Sequence, residues 1–345
     1  MAAMTGRGRR KTGPSIEDVA KLAGVSAQTV SRVSTGADVV RPATRERVQR
    51  AMLQLGYTPN RAARALRNGS YGAIGLVAHR FGRTGEALTT EAVVRAAEAE
   101  DYAVTLLTVR DPATEGWEPA AHRLPHQAID GLIIIRAEGA TAESLALPQR
   151  MPVAVSDSRF SGHYPAVVAD QVQGSRDAIH HLLGLGHRTV HHLAGPEGSG
   201  PARVRAATWQ RTLDEAGIVA PPPWRGDWTA RSGYVMGRQI AEDRTITAVF
   251  SANDDMSFGL IRALHEAGLR VPQDVSVVGF DAIELSEFSS PPLTTVRQDF
   301  TQMGVELVRL VLAQVHHGPE AVRDRVLIPT DLVVRASTAP PPPGV

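Results

Sequence analysis

Residues 15–33 read SIEDVAKLAGVSAQTVSRV, and their apolar positions fall at helical spacing: Ile16, Val19, Ala20 and Ala23 share one face. Ser15 with Asp18 forms a capping-box-like start, and Glu17 and Asp18 lie at the positive end of that helix. Gly24 breaks the helix where a tight turn needs a positive φ. Val25 is placed to plug the angle between two helices, and Ser26 is a natural N-cap for the second. Val30 and Val33 continue the buried face and leave Ala27, Gln28, Thr29, Ser31 and Arg32 pointing elsewhere. A third helix is predicted with Thr44 as cap, Val48, Met52 and Leu55 as inner stripe, and Gly56 as terminator.

From residue 71 the period changes. Strands are predicted over 73–78, 102–109, 131–135, 153–156, 189–194, 248–251 and 275–279. Helices are predicted over 86–100, 172–185, 202–216, 229–242 and 255–267. Continuous apolar runs such as GLIII at 131–135 suit strands buried on both faces. Strands alternating with helices imply parallel sheets flanked by helices. The alternation restarts after residue 169, so two similar lobes with a cleft between them are expected, and ligands of such folds sit beyond the C-terminal strand ends.

Charge separates the two regions. The net charge is only +1, yet residues 1–68 carry 13 Lys/Arg against 4 Asp/Glu, a net of +9, and residues 69–345 carry 24 against 32, a net of −8. A basic head that also has a foldable helical pattern points to a polyanion partner. The chain has no cysteine, which removes disulfides and thiolate chemistry. It has no apolar run of membrane-spanning length and no secretory signal pattern at its basic start, so a cytoplasmic protein with no membrane partner is expected.

The segments DVAKLAGVSAQTVSRV and TRERVQRAMLQLGYTPNRAARAL resemble the DNA-binding head of the lactose/galactose repressor family. That resemblance implies a helix-turn-helix whose second helix enters a major groove. It assigns DNA contact to Ser26, Ala27, Gln28, Thr29, Ser31, Arg32 and Thr44, with Arg/Lys of residues 7–11 and 41–50 on phosphates. YTPNRAARAL resembles the family's hinge, where Asn60, Arg61 and Ala63 lie in the minor groove and Leu66 is the wedge that unstacks a central base step. Without that context, residues 60–66 are merely a short Ala/Arg-rich helix. Ala27 and Gln28 differ in part from familiar members, which implies a different operator.

The segments HLAGPEGSGPARVRAATW, VFSANDDMSFGLIRALHEAGLRVPQDVSVVGFD and SPPLTTVRQDF are similar to the same family's body, a periplasmic-binding-protein-like fold. The domain plan that follows is a disordered basic arm at 1–14, a helix-turn-helix domain at 15–58 and a hinge or linker at 59–70. A two-lobed effector-binding and dimerisation domain at 71–335 and a disordered Pro-rich tail at 336–345 complete it. The chain is expected to cross between lobes near 294–300 and again near 329.

By resemblance, His79, Asp157, Arg205, Trp228, Asn253, Asp281 and Phe300 line an effector pocket. The residue types suit a sugar: a carboxylate accepts from adjacent hydroxyls, a guanidinium donates to oxygens, an amide does both, and a flat ring covers an apolar sugar face. For each residue alone the plainer alternative stands, an Asp or Asn as helix N-cap and a Trp or Phe as core. His79 with Arg80, and Ile135 with Arg136, replace the small polar side chains that the most similar sugar-binding members carry. A larger, differently substituted or charged effector would account for them.

Other readings fare worse. The loop at 195–200 lacks both the Gly-Lys-Ser/Thr ending of a P-loop and the G-x-G-x-x-G spacing. The adjacent His pairs at 180–181, 191–192 and 316–317 face different ways, and no metal site or cofactor is expected. No hydrolase, metalloprotease or kinase signature appears, so an enzyme is not expected. A transport binding protein conflicts with the basic head, and a sugar-modifying enzyme would have to rely on Asp157 and Asp281. The expected protein is a transcriptional regulator, acting as a homodimer on near-palindromic operator DNA, controlled by a small sugar-like effector.

Overall fold

The computed structural model describes residues 13–34, 39–58, 70–78, 82–107, 128–136, 147, 150–156, 162–321 and 325–344. The chain divides after Tyr71 into two units.

The first unit holds α1 (Ile16–Ala23), α2 (Ala27–Ser34) and α3 (Pro42–Leu55). The capping box at α1 is complete: the Asp18 amide donates to Ser15 Oγ at 3.3 Å, and the Ser15 amide donates to Asp18 Oδ2 at 2.8 Å. Gly24 takes φ 63°, which lets the Val25 amide reach back to the Ala20 carbonyl at 3.0 Å. Ser26 Oγ accepts from the Thr29 amide at 3.2 Å and caps α2. Val19, Val30 and Val48, one from each helix, are fully buried and lock the three together. Thr44 does not cap α3. That helix starts at Pro42, whose fixed φ suits the first helical position, and Arg41 is its N-cap residue with no side-chain bond. The inner stripe of α3 is Val48 and Ala51, with Met52 and Leu55 packed beside them.

The second unit is built from two six-stranded sheets. In the first lobe, β1 (Ala73–Val77) is followed by α4 (Thr84–Ala99), β2 (Ala103–Leu107), β3 (Gly131–Ile134), β4 (Val153–Val155) and β5 (Ala166–Ala169). The second lobe follows with α5 (Gln171–Gly184), β6 (His191–Ala194), α6 (Gly200–Glu215), β7 (Trp224–Arg225), α7 (Ala230–Ile240), β8 (Ala248–Ser251), α8 (Asp254–Glu266), β9 (Ser276–Asp281), α9 (Leu285–Phe288) and β10 (Thr294–Gln298). The chain then returns with α10 (Phe300–His317), β11 (Arg325–Ile328) and β12 (Thr330–Val333). The strand orders are β11-β5-β4-β3-β1-β2 and β12-β10-β9-β8-β6-β7, parallel except for β12 against β10. Alternate residues of each central strand feed cores on opposite faces: Ile74 and Leu76 on one side, Ala73 and Val77 on the other.

Two features depart from the sequence expectations. The whole of α10 went unpredicted, and it completes the first lobe: Leu307, Leu310 and Val311 are fully buried against β1 and β3. Its Gly304 lies so close to α4 that a Cβ there would stand 2.5 Å from Ala92. The expected disordered tail is also corrected, because Ser337 is fully buried and residues 336–339 bond into the second lobe. The Val277 amide donates to the Ser337 carbonyl at 2.9 Å, and the Ser276 hydroxyl donates to the Ala339 carbonyl at 2.9 Å. Ser337 satisfies the amide and carbonyl of Val277 in β9, and Ala339 pairs with the Ser276 hydroxyl, a role that proline-rich composition conceals.

Candidate functional site

The resemblance assigns DNA contact to α2. Ser26, Gln28 and Arg32 are exposed, and Ala27, Thr29, Ser31 and Thr44 are half-buried. Val30 and Val33 anchor the opposite side of the same helix. Arg47 does structural duty, donating from Nε to the Ala23 carbonyl at the end of α1 at 2.8 Å. The hinge residues Asn60, Arg61, Ala63 and Leu66 lie outside the described residues, as do His79, Asp157 and the arm at 1–12.

In the second unit, a cavity of about 130 Å³ opens where the C-terminal strand ends of both sheets meet. Arg205, in the second turn of α6, is buried at its floor. Its Nε donates to Gln171 Oε1 at 2.7 Å, and its Nη1 donates to the Ala252 carbonyl. Its Nη2 lies 3.6 Å from Asp281 Oδ1, and its guanidinium stacks 3.6 Å from the Phe280 ring centroid. Gln171 Nε2 donates to Gln298 Oε1 at 2.9 Å, and Gln298 Nε2 donates to Asp281 Oδ1 at 2.6 Å. Arg205, Gln171, Gln298 and Asp281 thus close a ring whose members come from four elements and hold one another's rotamers.

Burial pushes the Asp281 carboxyl up to about 6, against the pull of Arg205 and Gln298. The same burial lowers Arg205 to about 10, opposed by Asp281. Asp281 sits at φ 117° and Ala282 at φ 53°, so the carboxylate is delivered on a bent backbone. Asp254 secures that bend from behind, accepting from the Ile283 amide at 2.9 Å and the Thr295 hydroxyl at 2.6 Å. Its own carboxyl is raised well above the ordinary range by burial and by the Asp281 charge.

Trp228, at φ 79°, covers one wall with its ring, 5.6 Å from the Arg205 guanidinium, and its buried Nε1 has no partner among the described residues. Asn253 reaches the cavity wall, yet both ends of its amide serve the fold. Oδ1 caps α8 at the Met256 amide, 3.0 Å away, and Nδ2 donates to the Trp228 carbonyl at 3.1 Å. For Asn253 the helix-cap alternative therefore holds, and its part in the site is to place Trp228. Phe300 opens α10 at the cavity rim.

Gln171 and Gln298 escaped the sequence reading. Gln298 lies two residues before Phe300 in RQDF, the one available hint, and Gln171 follows a strand, Ala166–Ala169, that was not predicted. Arg136, Arg83 and Glu86 also line the cavity. Thr84 Oγ1 donates to Asp255 Oδ2 at 2.7 Å, a direct bond between the lobes. Among the described residues there is no group of three or more potential metal ligands, and no helix is long and apolar enough to cross a membrane.

A helix-turn-helix head joined to two α/β lobes around a cavity defines a ligand-responsive DNA-binding protein. Residues 15–60 match the bacterial regulatory proteins of the lacI family, and residues 179–338 match a periplasmic binding protein-like domain. The lactose operon repressor of Escherichia coli (strain K12) is 36% identical over 328 residues, covering 94% of this chain and 90% of that protein. The crystal structure of the Lac repressor dimer bound to operator and the anti-inducer ONPF aligns with a TM-score of 0.83 at 34% identity. That alignment covers 95% of this chain and 100% of the other. The complex of the transcriptional regulator CelR with cellobiose aligns with a TM-score of 0.69 at 30% identity, covering 94% and 99%. The chain belongs to the lacI family of bacterial regulatory proteins and is a DNA-binding transcriptional regulator.

Proposed function

We propose that this regulator is a repressor of carbohydrate-utilisation genes, acting as a homodimer on a near-palindromic operator and controlled by a small sugar-like effector in the cavity between its lobes. The observation that carries the reading is the closed ring of Arg205, Gln171, Gln298 and Asp281, with Trp228 beside it. The ring spends part of its hydrogen-bonding capacity on itself, and the remaining lone pairs and donors face a space of sugar dimensions next to a flat aromatic wall. Relatives support the ligand class: one is bound to operator and the anti-inducer ONPF, another to cellobiose.

Gln28, Thr29 and Arg32 read base edges or hold phosphates, Ser26 and Thr44 hold backbone, and the hinge with Leu66 engages the minor groove. Arg205 and Asp281 neutralise each other, which favours binding of the ligand over its turnover.

The test is fluorescence anisotropy on labelled promoter DNA, titrated with neutral and acidic sugars. Release by one of them is expected, and Arg205→Ala should abolish the response. Salt-sensitive operator binding that no sugar alters would retain the regulator and remove the sugar.

A further inference from the structure

Charges around the cavity do not balance. Its described lining holds four guanidinium groups, Arg83, Arg136, Arg205 and Arg325, and three carboxylates, Glu86, Asp170 and Asp281, a difference of one positive charge. The carboxylates are engaged. Glu86 lies 3.4 Å from Arg83, Asp281 lies 3.6 Å from Arg205, and Asp170 caps α5 at the Gln173 amide, 2.9 Å away. That leaves Arg136 and Arg325. Arg325 stands exposed on β11 at the rim. Arg136 is different: it follows the buried strand β3, is half-buried in the wall, and makes no hydrogen bond or ion pair with any described residue.

Arg136 lines the same cavity as Arg205 and Asp281. A half-buried guanidinium pays for partial desolvation and here receives no carboxylate in return. A neutral polyol can offer it hydroxyl oxygens, which are weak acceptors beside a carboxylate or phosphate oxygen. A further feature favours negative charge in the same space. Helices α4 and α6 both begin at the cavity wall, one from each lobe, and neither has a side-chain cap on its first amides.

We infer that the effector is an anionic sugar, a polyol whose hydroxyls meet the Arg205–Asp281 ring and whose carboxylate or phosphate pairs with Arg136. This rests on the sugar-responsive reading above and narrows it. The geometry separates the two tasks: the ring is already neutral and reads hydroxyls, and Arg136 supplies an interior charge with no protein partner among the described residues.

The experiment is isothermal titration of the full-length protein with matched sets: glucose, glucuronate and glucose 6-phosphate, then galactose, galacturonate and galactose 6-phosphate. At least one acidic member is expected to bind about ten- to a hundredfold tighter than its neutral parent, the span of one charge-assisted hydrogen-bonded pair. Whether the carboxylate or the phosphate member wins identifies the acidic group. Arg136→Gln should erase that preference, and Arg136→Lys should keep most of it, which separates charge from misfolding. A neutral sugar binding as tightly as its acidic partners, with Arg136→Gln indifferent, would overturn the anionic assignment and leave the sugar reading standing. No binding by any of the six, with operator affinity intact, would overturn both.

Discussion

Ser337 offers the sharpest measure of how the C-terminal strap holds the second lobe. The side chain is fully buried, with Oγ accepting from the Thr294 amide at 2.8 Å and donating to the Val277 carbonyl at 2.6 Å. Ser337→Ala leaves one donor and one acceptor of the β9–β10 edge without partners. Each buried group so orphaned costs about 1–3 kcal/mol, so a loss of about 2–5 kcal/mol is expected once partial relaxation is allowed. In a domain of this size 1 kcal/mol moves Tm by about 2–4 °C, which sets the expected drop at about 4–20 °C. Differential scanning calorimetry of the full-length protein reads it directly. Two truncations bracket the result: removal of residues 336–345 should destabilise at least as much as Ser337→Ala, and removal of 343–345 should change little. A Ser337→Ala protein that melts within 1 °C of the parent would refute the strap as a stabilising element.

Three further outcomes are expected. Gly24→Val places a β-branched residue at φ 63°, a cost of about 1–2 kcal/mol, so hydrogen exchange in α1 and α2 should quicken by roughly 5- to 30-fold; unchanged exchange would show that the turn tolerates a Cβ. Gln28→Ala should weaken operator binding more than non-specific binding, whereas Arg50→Gln should weaken both alike and lower the log–log salt slope by about one; the reverse pattern would overturn the assignment of α2 as reader. Asp281 is an acid whose folded pKa is raised from 3.8 to about 6, so the folded state keeps its proton longer than the unfolded one. Its contribution to stability is therefore largest at low pH and declines as pH rises from about 4 to about 6. Urea unfolding of the wild type relative to Asp281→Asn should show that decline and then a plateau; a flat difference would mean that Asp281 is solvated.

Much of the candidate site was legible through the family resemblance, and its residues also share a local position. Arg205, Asn253, Asp281 and Phe300 each lie at the end of a strand or the start of a helix, where a parallel fold puts its functional groups. Gln171 and Gln298 share that position but gain their meaning only from each other, across 127 positions, and no single-residue pattern carries that. The length of α10 was missed for a related reason. Its buried face is satisfied by strands more than 130 residues earlier, and its start coincides with the crossing expected at 294–300. Thr44 was misplaced because a Thr near a helix start is a good cap only if no Pro precedes it at the first position.

The position of the site also argues for how a ligand acts. The chain passes between lobes at Asp170, at 298–300 and at 328–330. Gln171 directly follows the first passage, Gln298 and Phe300 flank the second, and Leu327 of the cavity wall directly precedes the third. Two of the four ring members, Gln171 and Gln298, therefore border the segments on which any change in lobe orientation must pivot. All four members lie on second-lobe elements, so a lobe rotation carries the ring as a unit and changes what faces it from the first lobe, Arg83, Glu86 and Arg136. A ligand held by the ring and by first-lobe groups together favours the arrangement that keeps both within reach, and its leverage equals the difference between its affinities for the two arrangements. Linkage makes this reciprocal: operator DNA that favours the other arrangement must weaken ligand binding by the same factor. The Thr84–Asp255 bond provides the separating test, because it joins the lobes without belonging to the ring. Thr84→Val should alter the coupling between DNA and ligand more than it alters ligand affinity in the absence of DNA. Equal changes in both would place the coupling within the ring itself.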